Sequence, residues 1–417
     1  MKRAASRGDA AGMASSGARR VIALGALWLA CALGACDAPP TEDAGARDGG
    51  LAADAGAAMD AGGALDADVI DDDAGEGDAG PDAAAPRAIA TVLTLNLHCL
   101  ELDGTAYATH QARLAAVAAL VAREAVDVLL LQEVCDDGAF DAAEALGRAL
   151  EEAGAGTFAR HVSFAHVAWE GTSREARESV AVFSRELSAP ATLAHRTQDG
   201  LRRVMVSASA GTPLGVLRVA SVHFDHRSAA ARLAQAREAA AITLAEADPH
   251  LAAVVGGDVN APRGSDAHAA FGQLGYLDAS DAAGGGRIDH VFSHRAAPLR
   301  ALEARRVLDD PATRVSDHPG VLVRFVAAAP DDVLVTRVLA RHDPGPGRAL
   351  YVRGSAPPLS WTRGWPMRAR AAGEWSFIAT ELAGAVELKV LVDDVDWQLG
   401  ENARVEAGGA LELTPTF

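Results

Sequence analysis

The chain has 417 residues, room for two or three domains of ordinary size, and carries 38 Lys and Arg against 56 Asp and Glu for a net charge of −18. That acidic surplus excludes a protein that coats nucleic acid through a Lys/Arg excess, and the presence of only one long apolar run excludes a multi-span membrane protein. It leaves room for an enzyme that reaches phosphate through a metal ion. The charge is uneven: residues 1–36 carry +4, residues 37–86 carry −13, and −9 remains for 87–417.

The amino terminus reads as an address. Lys2, Arg3, Arg7, Arg19 and Arg20 precede the apolar run Val21–Ala35, which ends at Leu33-Gly34-Ala35-Cys36. A basic start, an apolar stretch and small residues before a cut make an export signal. As a helix the run would reach only ~22 Å, short of the ~30 Å hydrocarbon core of a bilayer. The box resembles a bacterial lipoprotein signal, in which the cysteine is lipidated and becomes the first residue. That cysteine is Cys36, and the resemblance implies a lipid-anchored protein of the bacterial cell envelope, on its periplasmic or cell-surface face. An ordinary signal cut near Ala35 or an uncut anchor is the alternative.

Residues 37–86 are nearly all Ala, Asp, Gly and Pro, and Asp-Ala-Gly recurs at 43–45, 54–56, 60–62, 73–75 and 78–80. Such a segment buries too little to offset chain entropy, so a disordered, charge-extended linker is expected. Removal of the signal leaves Cys99 and Cys135 beyond Cys36. They form a disulfide in an oxidising compartment or remain two buried thiols.

From Arg87 the texture becomes that of a packed domain. Ala88–Leu97 is a strand pattern ending in Asn96, and Gln111–Ala125 is a helix with Leu114, Val117, Leu120 and Val121 on one face. Val126–Leu131 reads as a buried strand followed by Gln132-Glu133. Further strands are predicted at Ser179–Phe183, Arg203–Ala208, Leu217–His223, Ala252–Val255, Ile288–Phe292 and Val321–Val326, with a helix at Ala229–Ala245. Polar residues cluster at the ends of these runs, where a sheet-based site is built.

In chain order they are Asn96, Gln132-Glu133, Glu178, His223-Phe224-Asp225, Gly257-Asp258-Val259-Asn260, Ile288-Asp289-His290 and Ser316-Asp317-His318. Singly, each is an ordinary turn or cap. As an ordered series they resemble the endonuclease/exonuclease/phosphatase superfamily over about Ala88 to Val326. The resemblance implies a four-layer α/β/β/α sandwich of the deoxyribonuclease I kind over residues 87–328. It also implies phosphoester hydrolysis by in-line water attack with Mg²⁺, or Mn²⁺ in its place, as cofactor. Glu133 is the implied principal metal ligand, with Asn96 beside it and Asp317 in a second position or outer shell. One carboxylate plus an amide suits a hard ion that keeps several waters. Asp258 is the implied general base or water-orienting carboxylate, and Asn260 a donor to the attacked phosphate. His318 is expected on a non-bridging oxygen with Asp289 holding its ring. His223 is the second histidine, buttressed by Glu178.

Other residues carry plainer readings. His98, His110, His226, His290 and His294 fall in no H-x-H or H-E-x-x-H array, so no zinc site is expected among them. Asp225 reads as a loop cap or a site residue, Arg232 and Gln235 as structural partners on a helix face, and Arg174, Arg177, Arg202 and Arg263 as solvated surface or, alternatively, a grip on a polyanion. Tyr107 and Tyr276 are the aromatic residues available for contact with DNA, and Val167-Ala168-Trp169 is the nearest thing to an apolar, lipid-entering hairpin.

Residues 331–417 read as a small all-β sandwich, with strands at Val333–Ala340, Ala349–Gly354, Trp375–Ala379 and Val386–Val392. Four of the chain's six Trp lie here. The order of Trp361, Lys389, Trp397 and Asn402 resembles starch-binding carbohydrate modules, and implies a sugar face built from these four side chains. The expected protein is a monomeric, membrane-tethered phosphodiesterase acting on a phosphoester such as nucleic acid. Phospholipid or sphingomyelin headgroup cleavage, or an inactive scaffold that displays a glycan-binding module, are the alternatives.

Overall fold

A computed structural model describes residues 88–101, 107–284 and 287–417; the lipidation site expected at Cys36 and the acidic linker lie outside them. In chain order the first elements are β1 (Ile89–Asn96), α1 (His110–Arg123), β2 (Val128–Asp136), α2 (Ala142–Glu152), β3 (Ala159–Ala168) and β4 (Ala176–Ser184). Then come β5 (Glu186–Ala194), β6 (Val204–Thr212), β7 (Gly215–His223), α3 (Ala229–Glu246), β8 (Ala253–Asp258) and α4 (Asp266–Gln273). The series closes with β9 (Tyr276–Asp278), β10 (Asp289–His294), β11 (Leu299–Val307) and β12 (Gly320–Ala327). Two six-stranded mixed sheets result, ordered β11-β12-β1-β2-β4-β3 and β5-β6-β7-β8-β10-β9.

Strand alternation sorts the apolar residues into layers. On β2, Val128 and Leu130 join Val92, Val182, Val206 and Val254 between the two sheets. Their neighbours Leu129 and Leu131 face the other way, onto Leu114, Val117 and Leu146 of α1 and α2. On the second sheet Ala220 and Val222 face Ala236, Ala239 and Ala240 of α3. The chain is therefore the expected four-layer sandwich. Side-chain caps start its helices: Thr109, Asp141, Ser228 and Ser265 accept from Ala112, Glu144, Ala231 and His268 backbone N–H groups.

The carboxyl-terminal residues are all-β. They comprise β13 (Thr336–Arg341), β14 (Leu350–Gly354), β15 (Trp365–Pro366), β16 (Arg368–Ala371), β17 (Glu374–Ala379), β18 (Val386–Val392), β19 (Asp396–Trp397), β20 (Ala403–Val405) and β21 (Ala410–Leu413). One sheet runs β16-β17-β13-β21; the other runs β15-β14-β18-β19, with β20 also on β18. Their core residues Val338, Trp365, Trp375 and Phe377 are continuous with the apolar cluster around α3. Arg237 of α3 lies 3.6 Å from the centroid of the buried Trp365 ring and donates to Gly364 O at 3.1 Å. Asp248 accepts two hydrogen bonds from Arg337, at 2.8 and 3.0 Å.

Candidate active site

Register alone gathers the central residues. β7 and β8 run parallel with His223 opposite Asp258, and β10 runs antiparallel to β8 with Asp289 opposite Asp258. Residues directly opposite share a face, so His223, Asp258 and Asp289 stand in one row at the end of the second sheet. Parallel β1 and β2 bring Asn96 opposite Gln132 at the corresponding end of the first. Beyond Leu131 the pairing of β2 with β4 shifts before Val134, and Glu133 takes φ 50°. This bulge re-aims Glu133 into the cleft. Gly257 is required where it stands: with φ 152°, a Cβ there would strike the Val222 carbonyl of β7.

The side chains meet in an open cleft of about 460 Å³. Asn96 Nδ2 donates to Glu133 Oε1 at 2.8 Å and to Asp258 Oδ2 at 3.3 Å, so one amide bridges carboxylates from both sheets. Asp258 Oδ2 lies 3.5 Å from His223 Nε2 and 4.0 Å from His318 Nε2, and Oδ1 accepts the Asn260 N–H at 2.8 Å. Asn260 Nδ2 donates to Phe224 O at 3.0 Å. His318 Nδ1 sits 2.9 Å from Asp289 Oδ2. His223 Nδ1 lies 3.3 Å from Glu178 Oε1 and 3.0 Å from Arg203 Nη1. The first contact needs a proton on Nδ1, in the charged ring or in the neutral Nδ1–H tautomer; the second needs a bare Nδ1 that accepts.

The electrostatics follow from burial and pairing. Burial raises the pKa of Asp258 and Asp289 adds to it, against the opposing pull of His223 and His318. His318 is lowered by burial, but the hydrogen bond and charge of Asp289 more than reverse this and push it up to about 9. Burial and Arg203 push His223 down, yet Glu178 and Asp258 bring it above its ordinary value. Burial would raise Glu178, but His166 and His223 hold it well below the usual carboxylate range.

A divalent cation is what the family resemblance implies here, and the donor set fits one. Glu133 Oε2 and Asp317 Oδ1 approach the same atom, His98 Nδ1, at 3.7 and 3.5 Å. Both are hard carboxylate donors of the kind Mg²⁺ prefers, and they flank the His98 ring at the cleft mouth. His98 is raised chiefly by its contact with Glu133 and further by Asp317, against the opposing effect of burial. Asn96 turns its nitrogen to Glu133, and its Oδ1 accepts the His98 N–H at 2.8 Å, so its amide is anchored beside that carboxylate.

The cleft also holds residues that the sequence reading passed over. Arg203 is 3 % exposed and contacts Glu178, His223 and His226. His166 meets the far oxygen of Glu178 at 3.3 Å, and Trp169 stands on the rim with Arg174 4.3 Å from its ring centroid. Arg203 opens an apolar run, which was its one visible signal; His166 and Trp169 belong to an edge strand and the turn after it. Arg202 donates to Phe164 O, and Arg263 pairs with Asp281, so neither is a free grip for a polyanion. Tyr276 is buried with its hydroxyl on Ala240 O, which removes it as a groove contact. Asp225 caps its loop through Arg227 and Ser228, and its backbone is held by Arg232 and Gln235.

Cys99 and Cys135 form a disulfide, with Cα atoms 5.0 Å apart. It ties the turn after Asn96 to the strand after Glu133. That turn needs holding, because His98, Cys99 and Leu100 all have positive φ (48°, 46° and 63°), at about 1–2 kcal/mol each for a non-glycine residue. On the carboxyl-terminal sandwich, Trp361 and Trp397 have ring centroids 6.2 Å apart and planes at 38°. Trp397 is 41 % exposed. Lys389 Nζ donates to the Gln398 and Gly400 carbonyls, and Asn402 Nδ2 to Glu387.

A family model described as Endonuclease/Exonuclease/phosphatase family matches residues 93–318. No curated protein matches the chain. Similar solved structures include an endonuclease/exonuclease/phosphatase from Beutenbergia cavernae, 19% identical over 77% of this chain and 100% of that one, TM-score 0.49. A family protein from Leptotrichia buccalis is 19% identical over 56% and 98%, TM-score 0.45. A mannosyl-6-phosphatase from Bacteroides thetaiotaomicron is 17% identical over 57% and 99%, TM-score 0.40.

The Asp289–His318 pair makes a pH-dependent statement. A raised imidazole pKa means that the pair's stabilisation is complete below the ordinary value of 6.5 and fades as pH rises through about 9. In Asp289→Asn the ring should titrate at or below its ordinary value, read from its own proton resonances. An unchanged midpoint would show that Asp289 does not hold the charge.

Proposed function

The chain belongs to the endonuclease/exonuclease/phosphatase family, and on that premise we propose that it is a divalent-metal-dependent phosphodiesterase, nuclease-like in its reaction. The observation that carries the reading is Asp258: a carboxylate 2 % exposed, with a raised pKa, set between His223 and His318. Such a group is suited to take a proton from an attacking water. His318, charged at neutral pH through Asp289, presents Nε2–H to a non-bridging phosphate oxygen, and His223 presents its own Nε2 beside it. Asn260 keeps Asp258 in place through its backbone N–H and lends its amide to the cleft. Glu133 and Asp317 would hold the cation, which when bound polarises the phosphoryl oxygen and neutralises charge on the leaving oxygen.

A diester of the nucleic-acid kind is favoured over a lipid headgroup. Entry into lipid calls for a protruding apolar hairpin, whereas Val167-Ala168-Trp169 is half-buried and the Trp169 ring is stacked under Arg174. With Mg²⁺ present, the protein should hydrolyse plasmid DNA, RNA or bis(p-nitrophenyl) phosphate in preference to sphingomyelin. Glu133→Ala and His318→Ala should each lower the rate by about 100-fold or more. Activity that survives both substitutions, or that ignores a chelator, would refute the assignment.

Two attached readings have their own support. The tilted pair Trp361 and Trp397, one of them well exposed, supports a sugar-stacking face on the sandwich. Soluble starch or amylose should slow the wild-type protein in affinity electrophoresis, and Trp361→Ala with Trp397→Ala should abolish the retardation. The Cys99–Cys135 disulfide supports export to an oxidising compartment, in keeping with an envelope lipoprotein anchored at Cys36. Cys36→Ser should move the protein from the membrane fraction to the soluble one; if it stays with the membrane, the lipid anchor is wrong.

A further inference from the structure

A second set of metal-ligating atoms lies away from the cleft. Asp289 and His290 are consecutive on β10, so their side chains leave opposite faces of the sheet. Asp289 enters the cleft; His290 turns to the other side, toward α4. There His290 Nδ1 and His268 Nε2 each stand 3.0 Å from one oxygen, Oδ2 of Asp278. The three donor atoms lie within 4.8 Å of one another. They come from the first turns of α4, the end of β9 and the start of β10. Their side chains are 15 %, 10 % and 5 % exposed for His268, Asp278 and His290, so the trio is sheltered but reachable.

Hydrogen-bond accounting shows that the trio needs one more positive charge. His290 Nε2 lies 3.2 Å from Ala261 O, an acceptor, while Nδ1 faces Asp278, a second acceptor. A neutral imidazole carries one N–H, so one of these buried contacts would set lone pair against lone pair. Either a second proton on the ring or a cation between ring and carboxylate removes the conflict. The surroundings are already those of a bound cation. With Nδ1 on a metal, Nε2–H donates to Ala261 O, and Asp278 Oδ1 stays fixed by the Ser280 N–H at 3.0 Å and by the Ser280 hydroxyl. Metal-bound imidazoles and carboxylates ordinarily have such outer hydrogen bonds.

We propose that His268, Asp278 and His290 form a structural site for a borderline transition-metal ion, Zn²⁺ in the first instance, separate from the catalytic cation. Two imidazole nitrogens and one carboxylate oxygen, with water in a fourth position, suit Zn²⁺ better than Mg²⁺, which prefers oxygen throughout. Tetrahedral bonds of about 2.0–2.1 Å place neighbouring donors roughly 3.4 Å apart. The two 3.0 Å contacts therefore have only to open by a few tenths of an ångström. An ion here pins α4 and β9 to β10, the strand that carries Asp289 behind His318. The absence of an H-x-H or H-E-x-x-H pattern hid this trio, because its ligands come from three elements and one of them is an aspartate.

The test uses the full chain, stripped of metal and returned to millimolar Mg²⁺ so that the cleft is filled. Zn²⁺ is then titrated against a chromophoric chelator. Wild type and Glu133→Ala should each retain one equivalent; His268→Ala and Asp278→Asn should bind it about 100-fold or more weakly while keeping wild-type circular dichroism. In a measurement that needs no variant, Co²⁺ added to wild type under the same conditions should give the strong visible absorption of a four-coordinate site. Overturning results are a wild type that retains no Zn²⁺ equivalent, an equivalent that survives His268→Ala, or a weak six-coordinate Co²⁺ spectrum. In those cases the trio is a hydrogen-bonded cluster without a metal.

Discussion

Three largely buried carboxylates, Glu133, Glu178 and Asp258, line one cleft, and left alone they would repel one another and protonate. The site exists because each is met by positive charge or by a donor. Glu178 lies between His166, His223 and Arg203. Glu133 faces His98, and Asp258 is set between two imidazoles. Asn96 then joins Glu133 of the first sheet to Asp258 of the second through a single amide nitrogen. The compensation is unequal by design of place. Glu178, with the densest set of partners, is the most firmly ionised, whereas Asp258, the deepest, is left with a raised pKa. Opposite proton affinities are thus made from the same functional group by different surroundings.

Such an arrangement tolerates little movement between the two sheets, and the fold supplies the stiffness just below it. Gln132, fully buried, donates to the Leu130 carbonyl of its own strand and to Ser221 Oγ of β7, while Ser221 donates back to Leu131 O. This reciprocal pair crosses the sheet interface one residue from Glu133 and two from His223. Each buried hydrogen bond adds about 1 kcal/mol, partly offset here because the amide oxygen of Gln132 is buried without a partner. The disulfide performs the same duty from the solvent side, fixing a left-handed turn beside Asn96 and Glu133.

How much of this was legible in the sequence follows from where residues sit. The eight strands marked out in advance, β1, β2, β4, β6, β7, β8, β10 and β12, are the interior strands of the two sheets. They are buried on both faces and read as apolar runs. The four that went unmarked, β3, β5, β9 and β11, are the edges, and β5 shows why: most of its residues are exposed or half-exposed, so Glu186–Ala194 carries no hydrophobic signal. The same reasoning covers the site. Asn96, His223 and Asp258 could be found because each closes an interior strand. His166 could not, since it lies on β3, and Arg203 resembles any charged residue before a strand until its partners are seen.

The carboxyl-terminal sandwich is where pattern and packing diverge most. As a sequence it reads as an appendage, yet α3 would be a different helix without it. Residues 235–241 of α3 are buried all round, including Gln235, Arg237 and Glu238. A helix on the outer layer of an α/β/β/α sandwich should show one wet face. Here that face is covered by Trp365, Trp375 and their neighbours, in one continuous apolar cluster. The run of alanines follows from this position, because short side chains let a sheet approach from each side. Arg237 is the exception that fits. Burial, with Arg363 adding to it, lowers its pKa to about 10, and the Trp365 face and Gly364 carbonyl replace the water it has lost. A desolvated cation–π contact stabilises by about 2 kcal/mol, but only while both surfaces stay together. The sandwich and the cleft-bearing domain therefore share a core, and the sandwich sets the environment of α3 as well as presenting its own surface.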